Sequence, residues 1–289
     1  MSESIGPAIA RDRLRVRLRD IREAGGLSPA EVAQRLSWPA STIDEMESGA
    51  LVLSPLEAEA LLGLYEVDGR EAEHLLLLAR VARSRRWWAR HGMTDEYQDF
   101  VAYEVEASRI SVYEPLVVPG LLQTPRYALA VTAAILRRPE DDPDVVARAQ
   151  VRAERQRSVA DRVAAGDDLT IVAILDEIVL RRRIGGADVM REQLEHLVAE
   201  ARRDHVTLVV MPTGLGGHAG LGGIFELLEF AGDPHMSTVL IESAVSDHNL
   251  RGTRVTAFYR QVVADLVAAG RGGDEAVALV RSILDEPPG

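Results

Sequence analysis

The sequence contains no cysteine and no lysine. Without cysteine the chain can form neither disulfides nor a thiolate nucleophile or thiolate metal site, and a reducing compartment suits it best. All 33 residues counted as lysine or arginine are therefore arginines. A GC-rich coding sequence explains this bias more simply than selection for bidentate contacts, so we give it no functional weight.

Long apolar runs are also missing. No stretch approaches the ~20 apolar residues that a membrane span requires, and residues 1–20 lack the apolar core of a signal peptide. We therefore expect a cytoplasmic protein with no membrane contact. The hydrophobic content of 47% over 289 residues is ample for packed cores. The net charge of -12 argues against broad, sequence-independent nucleic-acid binding, because that affinity comes from neutralising phosphates.

Helix start and stop signals predict five short helices in roughly the first 80 residues. An apolar stripe predicts a first helix over Ile9–Ala24, which ends at Gly25-Gly26. The segments Ser28–Glu31 and Ser54–Glu57 each combine an N-cap serine, a proline and a closing glutamate, so they predict the starts of the second and fourth helices. The second and third helices, joined by a tight turn, indicate a helix-turn-helix, and a plain helical bundle is the alternative.

A family resemblance rests on several segments of this region: Leu18–Ser28, Glu31–Leu36, Ile43 and Glu47–Gly49. These segments resemble the Cro/repressor-type (XRE-type) helix-turn-helix. Further segments resemble actinobacterial regulators that couple this module to a C-terminal antitoxin-like domain of unknown function: Trp87-Trp88, Glu104–Ala107, Tyr113–Pro115, Val118–Thr124, Tyr127-Ala128, Leu175–Glu177, Gly185-Gly186, His218, Phe225 and Glu242. The most specific motif is Pro119–Thr124. The resemblance implies a DNA-binding transcriptional regulator, dimeric, whose C-terminal domain senses a small molecule or a small protein partner.

We predict a multidomain protein in which a five-helix bundle precedes a mixed α/β domain. Its parts are a helix-turn-helix domain over 1–80, a helical connector over 81–112 and an α/β domain for ligand or partner binding over 113–289. Short β-branched runs predict strands at Leu169–Leu175, Val206–Met211, Ile224–Phe230 and Thr238–Ile241. Helical stripes predict covering helices at Asp188–Arg203, Val255–Val267 and Asp274–Leu284.

Five arginines surround Trp87 and Trp88 between Arg80 and Gly92. This composition could form a nucleic-acid patch, but stacking on single strands usually needs a groove of such residues. We therefore predict that the two tryptophans pack between the two domains, where each has ~150–250 Å² of surface to bury.

The third helix departs from the pattern of its relatives, which commonly expose glutamine, lysine and arginine there. This chain has Ala40, Thr42 and Glu45 at these positions, with Asp44 beside Glu45. Between Leu27 and His74 the sequence contains two arginines and ten acidic residues. Phosphate contacts are then expected from the first helix, and Glu45 can accept a hydrogen bond from cytosine N4. The predicted DNA-contacting residues are Arg15, Arg19, Arg22, Ser28, Ala40, Ser41, Thr42 and Glu45. We also predict that Ile43 and Met46 are buried while Thr42, Asp44 and Glu45 are exposed.

Carboxylates at predicted strand ends indicate a second site, because side chains there face the crevices in which α/β folds bind ligands. If they converge with residues of adjoining loops, they form a polar pocket for a cationic or hydrogen-bonding small molecule. The predicted ligand-binding residues are Asp176, Glu177, Arg182, His218, Glu226 and Glu242. Structural or surface salt bridges are the alternative for each of them.

Three weaker patterns receive simpler interpretations. The spaced glycines of Gly214–Ala219 match a dinucleotide-binding pattern, but a strand and not a helix follows them, so we predict a flexible loop over a pocket. The stripe formed by Arg148, Arg152 and Arg155 is most simply a solvated helix face. His218, His248 and Asp247 could serve an enzyme, yet no metal-binding spacing or nucleophile motif supports this. We predict no catalytic residue, no metal and no cofactor.

Two functions are compatible with these residues. The first is a helix-turn-helix transcriptional regulator with a C-terminal sensing domain. The second is a repurposed family member that has lost DNA binding and acts as a small-molecule-binding protein or an enzyme through the C-terminal domain. The acidic third helix is the evidence for the second function.

Overall fold

A computed structural model describes residues 6–84, 95–231, 236–242 and 247–286. The chain divides into two compact units, residues 1–90 and 91–289, which we call the first unit and the second unit. The tryptophans Trp87 and Trp88 lie outside the described residues, so their packing stays a prediction. The division into 1–80, 81–112 and 113–289 likewise stays a prediction.

The described residues of the first unit form five helices, as predicted. They are α1 (Pro7–Ala24), α2 (Pro29–Leu36), α3 (Thr42–Ser48), α4 (Pro55–Leu64) and α5 (Gly69–Ala82). The predicted start signals are confirmed, because Ser28 and Ser54 each form a complete capping box with the glutamate three residues later. Local sequence signals therefore determine where α2 and α4 begin.

The register of α3 in the bundle is confirmed by burial. Ile43 and Met46 enter the core of the first unit, while Asp44 and Glu45 are exposed. Thr42 is half-buried and not exposed as predicted, because α3 begins only at this residue and its N–H donates to the Pro39 carbonyl at 3.1 Å. The turn before α3 is closed at Ser37, which caps α2 in the left-handed conformation (φ 56°, ψ 36°).

The described residues of the second unit form a seven-stranded mixed sheet with covering helices, which confirms the predicted α/β fold. The strands are β1 (Arg109–Glu114), β2 (Thr170–Asp176), β3 (Val206–Met211), β4 (Phe225–Glu229), β5 (Thr238–Glu242), β6 (Asp247–Arg251) and β7 (Arg271–Gly272). The helices are α6 (Asp95–Glu104), α7 (Pro125–Leu136), α8 (Pro143–Ala164), α9 (Glu177–Arg181), α10 (Ala187–Glu200), α11 (Thr253–Ala269) and α12 (Gly273–Leu284).

The strand order is β6-β5-β4-β1-β2-β3-β7. Strands β1, β2 and β3 run parallel, whereas β4, β5, β6 and β7 each pair antiparallel with their neighbours. The carboxyl ends of the three parallel strands therefore meet at one edge. The sequence analysis did not predict the central strand β1, because Ser111 and Glu114 interrupt its apolar run, although both are buried.

Each face of the sheet carries its own apolar core. Val112, Ala173 and Leu208 belong to the core that α7, α10 and α12 cover. Their strand neighbours Tyr113 and Val172 belong to the other core, which α11 covers. This alternation follows from the two-residue period of a strand and decides which polar side chains can meet.

A buried ion pair joins α6 to α8. Arg155, 6% exposed, donates from Nε to Glu104, 0% exposed, at 2.6 Å, and its Nη2 forms a second, shorter bond to the same carboxylate. Its Nη1 donates to the Tyr97 hydroxyl at 3.1 Å, and its Cζ lies 4.8 Å from the centre of the Phe100 ring. Burial is the largest single influence on the pKa of Arg155 and would lower it, but the charge and hydrogen bonds of Glu104, together with Tyr97 and the charge of Glu226, outweigh burial, so the pKa is raised.

The prediction of a solvated arginine stripe on this helix is therefore wrong for Arg155 and correct for Arg148, which is exposed. Arg152 lies between these extremes, half-buried, and its Nη1 donates to the Thr132 hydroxyl at 3.0 Å. Helical spacing alone does not reveal that an acid 51 residues away neutralises one member of the stripe.

We expect Arg155→Met to lower the free energy of unfolding by about 3–5 kcal/mol, because it leaves Glu104 charged and buried. The double variant Arg155→Met with Glu104→Leu should recover most of this loss, since apolar replacement of a whole buried pair is often neutral. Urea unfolding of the three proteins measures both effects. Arg148→Met makes the same chemical change at an exposed site of α8 and should change stability by less than about 0.5 kcal/mol. Equal effects at positions 148 and 155 would contradict the prediction.

Candidate functional site

The exposed surface of α3 and its preceding turn is the candidate DNA-contacting face. We call this the α3 face and define it as Ala40, Ser41, Thr42, Asp44 and Glu45; all but the half-buried Thr42 are exposed. The side chains of Asp44 and Glu45 make no hydrogen bond or ion pair with any described residue. Two carboxylates therefore point into solvent where a duplex would bring phosphates, and each can accept a hydrogen bond but donate none.

Two of the three predicted arginines of α1 serve the fold of the first unit. Arg22 is buried, and its Nε and Nη2 donate to the Glu47 carboxylate at 2.5 and 2.8 Å while Nη1 donates to the Leu27 carbonyl at 2.7 Å. The hydrogen bond to Glu47 is the main reason that the pKa of Arg22 is raised. Arg15 donates to Asp12 at 2.7 Å and to the Glu47 carbonyl at 3.0 Å. Both guanidiniums thus fasten α1 to the end of α3, which argues against phosphate contacts from Arg22 in particular.

Arg19 is the predicted α1 arginine that stays available. It is half-buried, and it has no hydrogen bond or ion pair with any other residue that the structure describes. Ser28, also predicted to contact DNA, is exposed but uses its hydroxyl in the capping box: Oγ donates to Glu31 at 2.7 Å and accepts from the Glu31 N–H at 3.3 Å. Of the predicted DNA-contacting residues, Arg19 and those of the α3 face are therefore the ones whose side chains make no hydrogen bond or ion pair with a described residue.

The carboxylates that follow β2 have structural roles. Asp176 accepts a hydrogen bond from the Ile178 N–H at 3.0 Å and so caps α9. Glu177 accepts from the N–H and the hydroxyl of Thr213, at 3.2 and 3.0 Å, and forms an ion pair with Arg181. Burial opposes the ionisation of Glu177, yet these bonds outweigh it and hold its pKa below the ordinary value.

His218 also has a structural role, in the loop after β3. Its Nδ1 accepts from the Gly220 N–H at 3.2 Å, and its ring packs edge-on against Tyr113, with 6.0 Å between ring centres. Burial raises the pKa of Tyr113 to about 12. A Cβ at Gly220 would lie 2.5 Å from the Tyr113 ring, so glycine is required there. The glycine-rich segment is thus held against the sheet by side-chain contacts.

The six predicted ligand-binding residues do not converge on one pocket. Glu226 pairs directly with Val112 on one side and Leu240 on the other, so it shares their face of the sheet. Tyr113, which contacts His218, lies on the opposite face. Arg182 is exposed after α9, and the side chain of Glu242 lies outside the described part of the chain. The strand period separates Glu226 from the residues after β2 and β3.

A cavity of about 100 Å³ lies on the Glu226 face of the sheet. We call it the Gln123 cavity. Its floor is the row of Val112, Glu226 and Leu240 across three strands, and its walls come from α6, α7, α8 and the segment after β1. The other lining residues, from these walls, the end of β1 and the start of β4, are Tyr97, Phe100, Glu114, Val117, Val118, Pro119, Gly120, Gln123, Val131, Ile135, Arg152, Arg155, Ile224 and Phe225. The Pro119–Thr124 motif therefore forms part of a cavity wall.

Three glutamines hold that motif in place. Gln193 of α10, fully buried, donates to the Leu122 carbonyl and accepts from the Thr124 N–H, both at 2.7 Å. Gln156 of α8 donates to the carbonyls of Gly120 and Gln123, both at 2.8 Å. Gln123 itself donates from Nε2 to the Val118 carbonyl at 2.5 Å. Side chains thus satisfy several carbonyl and N–H groups of this loop, while the Leu122 N–H donates to the Pro119 carbonyl at 2.9 Å.

The Oε1 atom of Gln123 is buried and has no hydrogen-bond partner among the described residues. The Val118 carbonyl needs a donor, which assigns the Nε2 end of the amide to it and leaves the acceptor end without a donor. A buried acceptor without a partner costs about 1–3 kcal/mol.

Most residues of this cavity were not predicted from the sequence. The available signal was the family resemblance, which Glu104, Glu114 and the Pro119–Thr124 motif help to carry. The inward position of Arg155 could not be predicted, because its contact with Glu104 depends on the tertiary packing of α6 against α8.

A helix-turn-helix bundle with an exposed α3 face is typical of DNA-binding regulators, and in this chain a mixed α/β unit with a cavity follows it. The comparisons agree with this architecture. Residues 13–75 match the family described as Helix-turn-helix domain. Residues 97–282 match the Domain of unknown function (DUF5753), and the chain belongs to that family. Neither the curated proteins nor the solved structures gave a match. Among the described helices, none has the length and apolarity to cross a bilayer.

The different settings of Arg22 and Arg19 lead to a stability prediction. Arg22→Met should cost the first unit about 3 kcal/mol, because it leaves the Glu47 carboxylate unpaired. For a unit of this size that loss lowers Tm by roughly 10 °C or more. Arg19→Met, the matched control on the same helix, should leave Tm nearly unchanged. Thermal unfolding followed by circular dichroism measures both, and a stable Arg22→Met protein would refute the structural role.

Proposed function

We propose that this protein is a cytoplasmic transcriptional regulator of the Cro/repressor (XRE) type, of the actinobacterial group with an antitoxin-like C-terminal domain. In this proposal it binds duplex DNA as a homodimer, and its second unit senses a small molecule or a small protein partner. The observation that carries the DNA-binding part is the setting of α3: Ile43 and Met46 anchor it in the bundle while the α3 face stays exposed. A recognition helix needs this combination in order to enter a major groove.

The chemistry of the α3 face limits how it can read DNA. Glu45 can accept a hydrogen bond from cytosine N4, and Ser41 can bond to several base edges. Arg19 is the proposed phosphate contact on α1. Two copies would place their α3 faces on half-sites about 34–36 Å apart along the duplex. Ala40 adds an apolar contact suited to a thymine methyl group.

A second candidate function is favoured by the same face. Asp44 and Glu45 are both exposed and make no ion pair with a described residue, so they repel phosphates. A family member that has lost DNA binding, and that works as a small-molecule-binding protein or an enzyme through its second unit, also fits this charge pattern. The side chains of Asp247 and His248, considered for catalysis, lie outside the described residues.

A DNA titration distinguishes the two functions. The double substitution Asp44→Ser with Glu45→Arg removes the repulsion and adds a base-reading donor, so it should strengthen binding to DNA upstream of the protein's own gene by at least ~10-fold. Affinity of the native protein should be weak and fall steeply between low and moderate salt, because it depends on phosphate contacts. Fluorescence anisotropy on a labelled duplex measures both.

The matched control is Asp204→Ser with Glu195→Arg, which makes the same change in net charge at exposed positions of the second unit. It should leave the affinity close to native. Tight, sequence-specific binding by the native protein would establish the regulator and make Glu45 a reader of cytosine. Absence of binding by all three proteins would reject the regulator in favour of the second candidate.

A further inference from the structure

We propose that the Gln123 cavity binds a small molecule that carries a protonated primary amine on a short apolar body. The regulatory meaning of this site rests on the proposed sensing function. The binding itself is argued from the cavity alone.

Gln123 requires a hydrogen-bond donor. This side chain is 3% exposed and contributes to the lining of the cavity, and its buried Oε1 atom has no hydrogen-bond partner among the described residues. The amide cannot turn to present its N–H group instead, because that group is bonded to the Val118 carbonyl at 2.5 Å. A ligand that satisfies this position must therefore be a hydrogen-bond donor.

The charges around the cavity also favour a cationic ligand. Glu114 and Glu226 contribute carboxylates to the lining, and Arg152 and Arg155 contribute guanidiniums. Directly behind the wall, Glu104 neutralises Arg155 through two hydrogen bonds. Three carboxylates thus accompany two guanidiniums, which favours a cation over an anion. A protonated amine supplies both the positive charge and the donor that Gln123 lacks.

The size and apolar surface of the cavity suit a short apolar body. A cavity of ~150 Å³ lined by apolar side chains accommodates benzene, so about 100 Å³ leaves room for a shorter body, of roughly four heavy atoms. Phe100, Val112 and Val131 provide apolar surface for that body. Ile135 lines the cavity and is 68% exposed, so it marks the side that opens to solvent.

An ordered water molecule is the competing occupant, because water also donates a hydrogen bond and fits a polar cavity of this volume. Water would give no preference for a cation. The test therefore compares probes of similar size that differ in charge and donor capacity: n-butylammonium, 1-butanol, tetramethylammonium and butyrate. The first has both charge and N–H donors, the second a donor only, the third charge only and the fourth the opposite charge.

Saturation-transfer NMR titrations with the full-length protein provide the measurement. We expect saturable binding of n-butylammonium in the millimolar range, at least ~10-fold tighter than that of 1-butanol or tetramethylammonium, because a charge-assisted hydrogen bond is lost in each. Butyrate should show no saturable binding. Equal affinities for butylammonium and butanol, or tighter binding of butyrate, would overturn the proposal in favour of a hydrated cavity or an anion site.

Two variants locate the binding. Glu226→Gln keeps the shape of the side chain, removes its charge and should weaken butylammonium binding by ~10-fold. The matched control is Glu192→Gln on α10, which removes an acid that pairs with Arg126 at the surface, away from the cavity. Ile135→Trp should block the opening without disturbing the core, since residue 135 is exposed. Binding that survives both Glu226→Gln and Ile135→Trp would place it elsewhere and refute the site.

The two proposals fail separately. Butylammonium binding is measured without DNA, so it tests the cavity whether or not the first unit binds a duplex. If the amine binds but leaves the DNA affinity unchanged, the sensing function is rejected while the site stands.

Discussion

The second unit depends on the backbone pairing of one strand, β1. β1 pairs in parallel with β2, where Val112 lies opposite Ala173, and it pairs antiparallel with β4, where Val112 lies opposite Glu226. In the described sheet, β1 is therefore the strand that links β4, β5 and β6 on one side to β2, β3 and β7 on the other. Its carboxyl end also begins the segment that leads to Pro119–Thr124, so the position of the cavity wall follows from where β1 stops. The position of β1 therefore fixes both the edge where the parallel strands end and the face of the sheet that carries Glu226.

Both units use arginine to bring charge into their interior. Arg22 and Arg155 each donate hydrogen bonds from two guanidinium nitrogens to one carboxylate, in a planar arrangement that a lysine ammonium cannot reproduce. The consequence for function differs between the units. In the first, the pair withdraws a basic residue from the surface that we propose to meet DNA. In the second, the carboxylate of Glu104 lies behind the cavity wall and neutralises Arg155, which lines the cavity.

Local signals predicted the first unit well, because the capping boxes at Ser28 and Ser54 act within three residues of sequence. They predicted the sheet only in part. The runs that became β2 to β5 are apolar, whereas the central strand β1 contains Ser111 and Glu114, whose burial depends on neighbours distant in the chain. The candidate site was harder still. Glu226 was correctly placed on a predicted strand. That it lies on the face of the sheet opposite to His218 depends on the pairing register of the strands, which composition does not reveal.

Gln193 has an evolutionary consequence. Its amide gives a hydrogen to the Leu122 carbonyl and takes one from the Thr124 N–H, so it uses a donor and an acceptor at once. Glutamate lacks the donor, lysine lacks the acceptor, and leucine or methionine offers neither in useful strength. A substitution at position 193 therefore leaves backbone groups of the loop over 122–124 without partners unless the loop changes as well. Residue 193 and this loop are about 70 residues apart in the chain, and they should vary together among relatives.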